Sequence, residues 1–265
     1  MIVYTVLFTL PNKKPEENRY VELFKIWFTF LLKNGGLKES DKIVIIVDTE
    51  TLHHLQTQII PSFYRKLSNI HFHCIPVPQP QNLTEGMLLR YTNMAGNDGD
   101  TLLYLDLDIL VVKSLQYDIP LLHPNQLMVM PEGKMAHPLY AANLVNADEI
   151  RDMCGFSSGS FAFCYGEGIQ EFFNKIKQEA LEIKDNPRYT VDQPFFNKWL
   201  FLTINTSALP IHIMLMRYNM IEQNVYEVKE ETVLINYAGD PGVDSSHYQK
   251  VLTMLCIEYF SSAAP

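Results

Sequence analysis

The stretch Thr101-Leu-Leu-Tyr-Leu-Asp-Leu-Asp-Ile-Leu-Val-Val112 constrains this chain more than any other. Thr101 to Leu105 is apolar or β-prone throughout and reads as a fully buried strand. Asp106 and Asp108 follow, and Ile109 to Val112 is apolar again. Alternate residues of an extended chain point the same way, so the two carboxylates face one side together. Ionised carboxylates beside so much apolar surface are costly without a counter-charge, and the simplest is a divalent cation. Hard oxygen ligands with room left for water and phosphate suit Mg²⁺ or Mn²⁺. A bare Asp-x-Asp is weak evidence, and the chain holds a second copy, Asp98-Gly-Asp100, in a Gly/Asn-rich turn with no strand beneath it. Only the copy at a strand's end carries the metal reading, with a plain structural turn as its rival.

A length of 265 residues fits one large α/β domain with an ample core. A net charge of −9 without any Lys/Arg run argues against nucleic acid and anionic membrane surfaces as partners. No apolar run approaches the roughly 18 residues of a membrane span. Met1 to Thr9 reads as a first strand and not a secretory leader. The scattered Cys74, Cys154, Cys164 and Cys256 read as free thiols, which predicts a reducing, cytoplasmic setting.

Strands are expected at Ile2–Thr9, Lys42–Val47, Ile70–Val77 and Thr101–Leu105. Helices alternate with them: Glu17–Lys33 closed by Gly35-Gly36, short pieces over Leu52–Leu67, and one running from an N-cap at Thr84 to Met94. This order predicts a mostly parallel sheet with ligands at the strands' carboxyl ends, where Asp48 and Asp106 fall. The second half is less regular. It reads as a strand at Gln126–Met130, an aperiodic segment 131–157, a strand at Gly159–Tyr165 and an amphipathic helix at Ile169–Ile183. A further helix starts at Asp192 with Pro194 in its first turn. Short strands at Ile211–Met216, Val225–Val228 and Thr232–Tyr237 lead to a closing helix at Ser246–Phe260.

The strand ending in Leu-Asp-Leu-Asp resembles the metal-binding motif of GT-A glycosyltransferases, and further stretches match the retaining family 8 enzymes in order. Arg90 sits where those enzymes place a basic residue near the donor. Phe156-Ser-Ser-Gly-Ser-Phe-Ala-Phe163 is similar to their strand beside the donor sugar, although its first Ser replaces a usual Asn. Tyr189-Thr-Val-Asp-Gln-Pro-Phe-Phe-Asn197 is similar to their Asp-Gln helix start at the reactive carbon. Ile235-Asn-Tyr-Ala-Gly-Asp240 resembles their C-terminal His-Phe-x-Gly turn, with Asn236 where the family has the metal-binding His. His247 is a rival for that ligand, and Lys250 stands in for a Lys the family has soon after the turn. The chain also resembles small GT-A domains with which large algal viruses glycosylate capsid protein.

This resemblance implies an α/β GT-A fold, a mixed and mostly parallel sheet with helices on both faces and a smaller C-terminal acceptor-side subregion. It implies one domain over 1–265, with a nucleotide-binding half at 1–112 and a donor-sugar and acceptor half at 113–265. The implied activity is metal-dependent transfer of a hexose, galactose or glucose, from a UDP-sugar to a glycan or protein-linked acceptor. Mn²⁺ or Mg²⁺ is expected at Asp106, Asp108 and Asn236. Thr9, Asp48, Arg90, Leu107, Ser158, Gly159, Gly239 and Lys250 are expected around the donor, with Asp192 and Gln193 as catalytic residues at the anomeric carbon.

Plainer readings stand beside these. Asp192 suits a helix N-cap, Arg90 a surface pair with Glu85, Gly239 and Gly242 ordinary turns, and His71 and His73 solvent. A haloacid-dehalogenase-type phosphatase also uses Asp-x-Asp at a strand end, with an aspartyl nucleophile on the first strand of its core. Here about a hundred residues precede the motif. A non-catalytic sugar-nucleotide-binding module is the third reading.

Overall fold

β1 (Ile2–Leu7) is buried along its whole length and is an interior strand of the sheet. The computed structural model describes residues 1–66, 70–116, 119–182, 192–216, 219–221 and 232–236. After β1 come α1 (Arg19–Asn34), β2 (Lys42–Asp48), α2 (Thr49–His54), β3 (His71–Val77), α3 (Leu83–Leu88), β4 (Thr101–Leu105) and β5 (Ile109–Val111). The second half adds β6 (Gln126–Lys134), α4 (Ala147–Ile150), β7 (Cys154–Cys164), α5 (Glu167–Glu182), α6 (Gln193–Thr206), β8 (His212–Leu215), β9 (Asn219–Ile221) and β10 (Thr232–Asn236).

Seven strands form one sheet in the order β3-β2-β1-β4-β7-β6-β8. The first four in that order run parallel, β7 is antiparallel to both its neighbours, and β8 is parallel to β6. Both faces are covered, which is why the inner strands read as continuous apolar runs. Val3, Leu7, Ile43, Ile45 and Leu103 pack against Phe24, Trp27, Phe28 and Leu31 of α1. The alternate residues Ile2, Tyr4, Val44, Ile46, Leu102 and Tyr104 join Phe161, Phe163, Phe172, Phe173 and Phe196 on the other face. The mixed, mostly parallel α/β architecture expected from the sequence is the one found.

Strand order places the functional crevice. β1 is flanked by β2 on one side and β4 on the other, so the winding reverses between β1 and β4 and opens a crevice beyond their carboxyl ends. A three-stranded sheet, β5-β10-β9, lies just beyond β4, with β5 antiparallel to β10 and Asn236 opposite Ile109.

Several boundaries differ from expectation. α1 begins at Arg19 because the Asn18 side chain accepts the Tyr20 N–H at 3.0 Å. Asn82 caps α3 through the Glu85 N–H at 2.9 Å, so Thr84 is not the cap, and the helix ends at Leu88. The ends of segment 131–157 are strand, since β6 runs on to Lys134 and β7 starts at Cys154, with register shifts around Pro131. β9 has no counterpart in the sequence reading. Val225–Val228 and Ser246–Phe260 lie outside the described residues. Among the described residues no helix is long and apolar enough to cross a membrane.

One buried amide ties α6 to the sheet. Pro131 lies opposite Phe156 and has no N–H to offer it. Asn197, fully buried, accepts the Phe156 N–H at 2.7 Å and donates to the Phe156 carbonyl at 2.8 Å and the Gln193 carbonyl at 2.9 Å. Asn197→Leu strips these main-chain groups of their partner and is expected to lower stability by about 2–4 kcal/mol. A lowered urea midpoint at unchanged m-value checks this.

Candidate active site

The crevice is organised by Arg90, 1% exposed. Its Nη1 donates to Asp106 Oδ2 at 3.2 Å and its Nη2 lies 3.1 Å from Asp106 Oδ1, a two-pronged pair. Nη1 also donates to the Ser158 carbonyl at 2.9 Å and lies 3.6 Å from Asp192 Oδ2. Nε donates to the Met87 carbonyl at 3.1 Å, and the guanidinium carbon sits 5.0 Å from the centre of the Tyr104 ring. Burial acts to lower the Arg90 pKa, but Asp106 and Asp192 outweigh it, and the group is held well above its ordinary value. Three phenols complete the cluster. Tyr104 donates to Asp106 Oδ1, Tyr91 to Asp192 Oδ2 at 2.6 Å, and Tyr4 to the Arg90 carbonyl at 2.6 Å.

Asp106 opens a tight turn that contains Asp108, and the two do not lie along one strand as the alternation argument expected. The Asp106 N–H donates to the Gly159 carbonyl at 2.8 Å, and the Ile109 N–H closes the turn on the Asp106 carbonyl at 3.0 Å. Burial raises the Asp106 carboxyl pKa against the pull of Arg90 and the Tyr104 hydrogen bond. Burial, then the Asp106 charge, pushes Asp108 up to about 7, with Glu132 adding to the effect. Three carboxylates, Asp106, Asp108 and Asp192, thus face one guanidinium, and the cluster is short of positive charge. That deficit and the oxygen donor set fit a divalent cation.

Among the described residues no group of three or more His, Cys, Asp or Glu side chains is arranged to hold a metal. A cation here would rest on Asp106 and Asp108, with the Asn236 amide, water and phosphate oxygens to complete it. Asn236 is 4% exposed and donates through Nδ2 to Glu132 Oε1 at 3.2 Å. A carboxylate accepts only from the NH₂ end, so this bond fixes which way the amide faces.

A cavity of about 480 Å³ opens at the carboxyl ends of β1 and β4, lined by Phe8, Lys13, Arg19, Tyr20, Gly86, Arg90, Tyr104 and Asp106 to Asp108. Leu107, expected near the donor, is on this wall at 5% exposure. A Cβ at Gly86 would stand 2.2 Å from the Phe8 ring, so a larger residue there would displace that ring. Gly159 is needed for a similar reason: a Cβ there would lie 2.7 Å from Asp106 Oδ2. A larger, more open cleft of about 940 Å³ beside α2 contains none of the expected site residues.

The remaining expectations divide. The Ser158 N–H donates to Gln193 Oε1 at 3.1 Å, and Gln193 Nε2 reaches the Leu139 carbonyl at 3.4 Å. Gln193 is half-buried, whereas Asp192 is 1% exposed, so of the expected catalytic pair Gln193 is the one open to a ligand. The Asp192 side chain makes no capping bond to α6, which removes the N-cap alternative. Glu85 accepts from the Gln81 N–H at 2.9 Å and not from Arg90, which removes the surface-pair alternative. Asp48 is enclosed by main chain. Fully buried, it accepts the Thr9 N–H at 2.9 Å through Oδ2 and the Glu50 and Thr51 N–H groups at 3.0 and 3.1 Å through Oδ1. It caps α2 and is 0% exposed. Thr9 is likewise 1% exposed, its hydroxyl bonded to Thr51 at 2.7 Å and Asn18 at 3.0 Å. Gly239, Gly242, His247 and Lys250 lie outside the described residues.

Sequence reasoning missed Tyr91, Tyr104, Glu132 and the crevice residues Phe8, Lys13, Arg19 and Gly86. For Tyr104 a signal existed, since it is two residues before Asp106 and shares its face. The loop after β1 carries no motif that could have announced Lys13 or Arg19.

Because its folded pKa is raised, ionised Asp108 opposes folding. The penalty is complete above pH about 7, shrinks as pH falls through that value, and is gone below the unfolded value near 4. In chelator, Asp108→Asn is therefore expected to melt a few degrees above the parent at about pH 8, with the difference vanishing near pH 4. Thermal melts across that range check it.

No protein-family model matches the chain, and no curated protein matches it in sequence. Solved structures do match. An active-site mutant of LgtC shares 13% identity over 96% of each chain, with a TM-score of 0.58. Mouse xyloside xylosyltransferase 1 shares 9% over 91% of this chain and 99% of its own, at 0.54. The glycosyltransferase GlyE of Streptococcus pneumoniae TIGR4 shares 11% over 99% of this chain and 64% of its own, at 0.53. Identities this low speak for the fold alone, and that fold is the GT-A fold of these glycosyltransferases.

Proposed function

We propose that the chain is a metal-dependent glycosyltransferase of the retaining family 8 type, moving a hexose from a UDP-sugar to a glycan or protein-linked acceptor. The observation that carries this reading is the buried Arg90 joining Asp106, at the crevice of a GT-A fold, to Asp192 beside Gln193. Galactose is the first candidate sugar and glucose the second.

Asp106, Asp108 and Asn236 would hold Mn²⁺ or Mg²⁺, which when bound supplies positive charge against the departing diphosphate. Lys13 and Arg19 line the crevice and add cationic charge for an anionic nucleotide. Gly239 and Lys250 are proposed to meet the same phosphates. Ser158 fixes the Gln193 amide, whose position beside Asp192 suits contact with the donor sugar. In transfer, the bond from the anomeric carbon to the diphosphate oxygen breaks and one to the acceptor oxygen forms. With retention on the donor's own face, the acceptor proton passes to the departing phosphate oxygen, and no enzyme base is required.

The environment of the carboxylates supports that route. Asp192 is 1% exposed and held by Tyr91 and Arg90, a poor position for the base an inverting enzyme needs. The phosphatase alternative needs an aspartyl oxygen free to attack. That aspartate belongs on the first strand of its core, whereas Asp106 follows β4.

A panel of UDP-sugars, assayed for binding, hydrolysis and transfer with and without Mn²⁺, tests the proposal. One donor is expected to turn over only with metal, and Asp108→Asn to abolish that turnover. Gln193→Ala is expected to lower kcat while leaving UDP affinity intact. Failure of every UDP-sugar to bind overturns the reading, and binding without any turnover favours a non-catalytic module.

A further inference from the structure

Three buried tyrosine hydroxyls surround Arg90, and each has a different partner. Tyr4, Tyr91 and Tyr104 are all at most 1% exposed. Their rings are locked by aromatic packing. Tyr104 lies 5.2 Å from both Tyr4 and Phe161, and Tyr91 lies 5.7 Å from Phe161 and 5.4 Å from Phe173. Rings held in a close-packed layer fix their hydroxyls in space, so the phenols act as preset donors. Burial, the largest influence on each, pushes all three phenol pKa values well up, and each keeps its proton.

Asp106 shows what such a donor does. Its Oδ1 accepts from the Tyr104 hydroxyl and lies 3.1 Å from Arg90 Nη2, and its Oδ2 accepts from Arg90 Nη1. A carboxylate offers about four lone-pair directions, and two accepted hydrogen bonds with an ion-pair contact beside them restrict those that remain. The direction left for a cation is therefore set by the groups behind the carboxylate.

We propose that Tyr104 is a positioning residue for the metal, holding Asp106 in its ligating orientation, while Tyr91 does the same for Asp192 and Tyr4 steadies only the Arg90 main chain. The inference rests on the reading of Asp106 as a metal ligand. It assigns one task to each of three chemically identical groups, which makes it separable from a general effect on folding.

Tyrosine-to-phenylalanine substitution removes one oxygen and leaves the ring packing in place. Mn²⁺ binding to Tyr4→Phe, Tyr91→Phe and Tyr104→Phe is measured by electron paramagnetic resonance of the free ion, beside wild type and Asp108→Asn, with thermal melts of all five. Tyr104→Phe is expected to weaken Mn²⁺ binding about tenfold or more, in the range typical of groups that orient metal ligands. Tyr4→Phe and Tyr91→Phe are expected to bind Mn²⁺ like wild type. Gly159→Ala, which presses on Asp106 from its Oδ2 side, is expected to weaken Mn²⁺ as Tyr104→Phe does and serves in its place if that variant melts below the assay temperature.

Equal Mn²⁺ loss in all three phenylalanine variants overturns the inference, because the hydroxyls would then act through stability. Wild-type affinity in Tyr104→Phe, or in Gly159→Ala where it stands in, overturns it also. If either result comes with binding that Asp108→Asn abolishes, only the inference fails. If wild type and Asp108→Asn bind Mn²⁺ equally, the metal reading fails and the inference with it.

Discussion

A single buried guanidinium fixes the geometry of the crevice. Arg90 follows α3, Asp106 follows β4 and Asp192 precedes α6, three separate places along the chain. Each ion alone would be costly in that interior, and the one guanidinium offsets part of the charge of the two carboxylates beside it. Removing one member of such a buried pair typically costs about 3–5 kcal/mol, because the others are left uncompensated. The aromatic layer beneath supplies rigidity. Phe161 packs on both Tyr91 and Tyr104, the two rings whose hydroxyls address the carboxylates.

The cluster is unbalanced in charge, and the imbalance is local to the turn after β4. Arg90 satisfies Asp106 and lies beside Asp192, but Asp108 is left with burial and like charges around it. A fold optimised for stability alone would not keep a carboxylate there. A preference for binding over stability is the usual reason for such a position.

The sheet was readable because covering both faces forces continuous apolar strands, and such runs bounded by turns are shorter than a typical helix. Asp106 and Asp108 were readable by the same contrast. Asp48 shows why such a position is ambiguous: the carboxyl end of a parallel strand is also where the next helix begins. An aspartate there suits a ligand and suits a helix cap, and main-chain N–H groups took this one. Asp192 presents the reverse case, a residue ideal for capping whose side chain turns away to Tyr91. The partner of Arg90 was hidden because local spacing offers Glu85, while the true contact depends on how β4 and α3 stack. β9 and the strand ends inside 131–157 carry no periodicity of their own. Pairing with distant strands creates them.

The small sheet has a consequence for the order in which the molecule is built. The seven-stranded sheet is complete once β8 has formed at Leu215. β5, only three residues long, pairs with β10, which arrives later in the chain. During synthesis the scaffold can therefore assemble with the aspartate turn unclamped on one side. A nascent or truncated chain ending before β10 would hold most of the core yet lack the strand that braces the site, so competence is gained last.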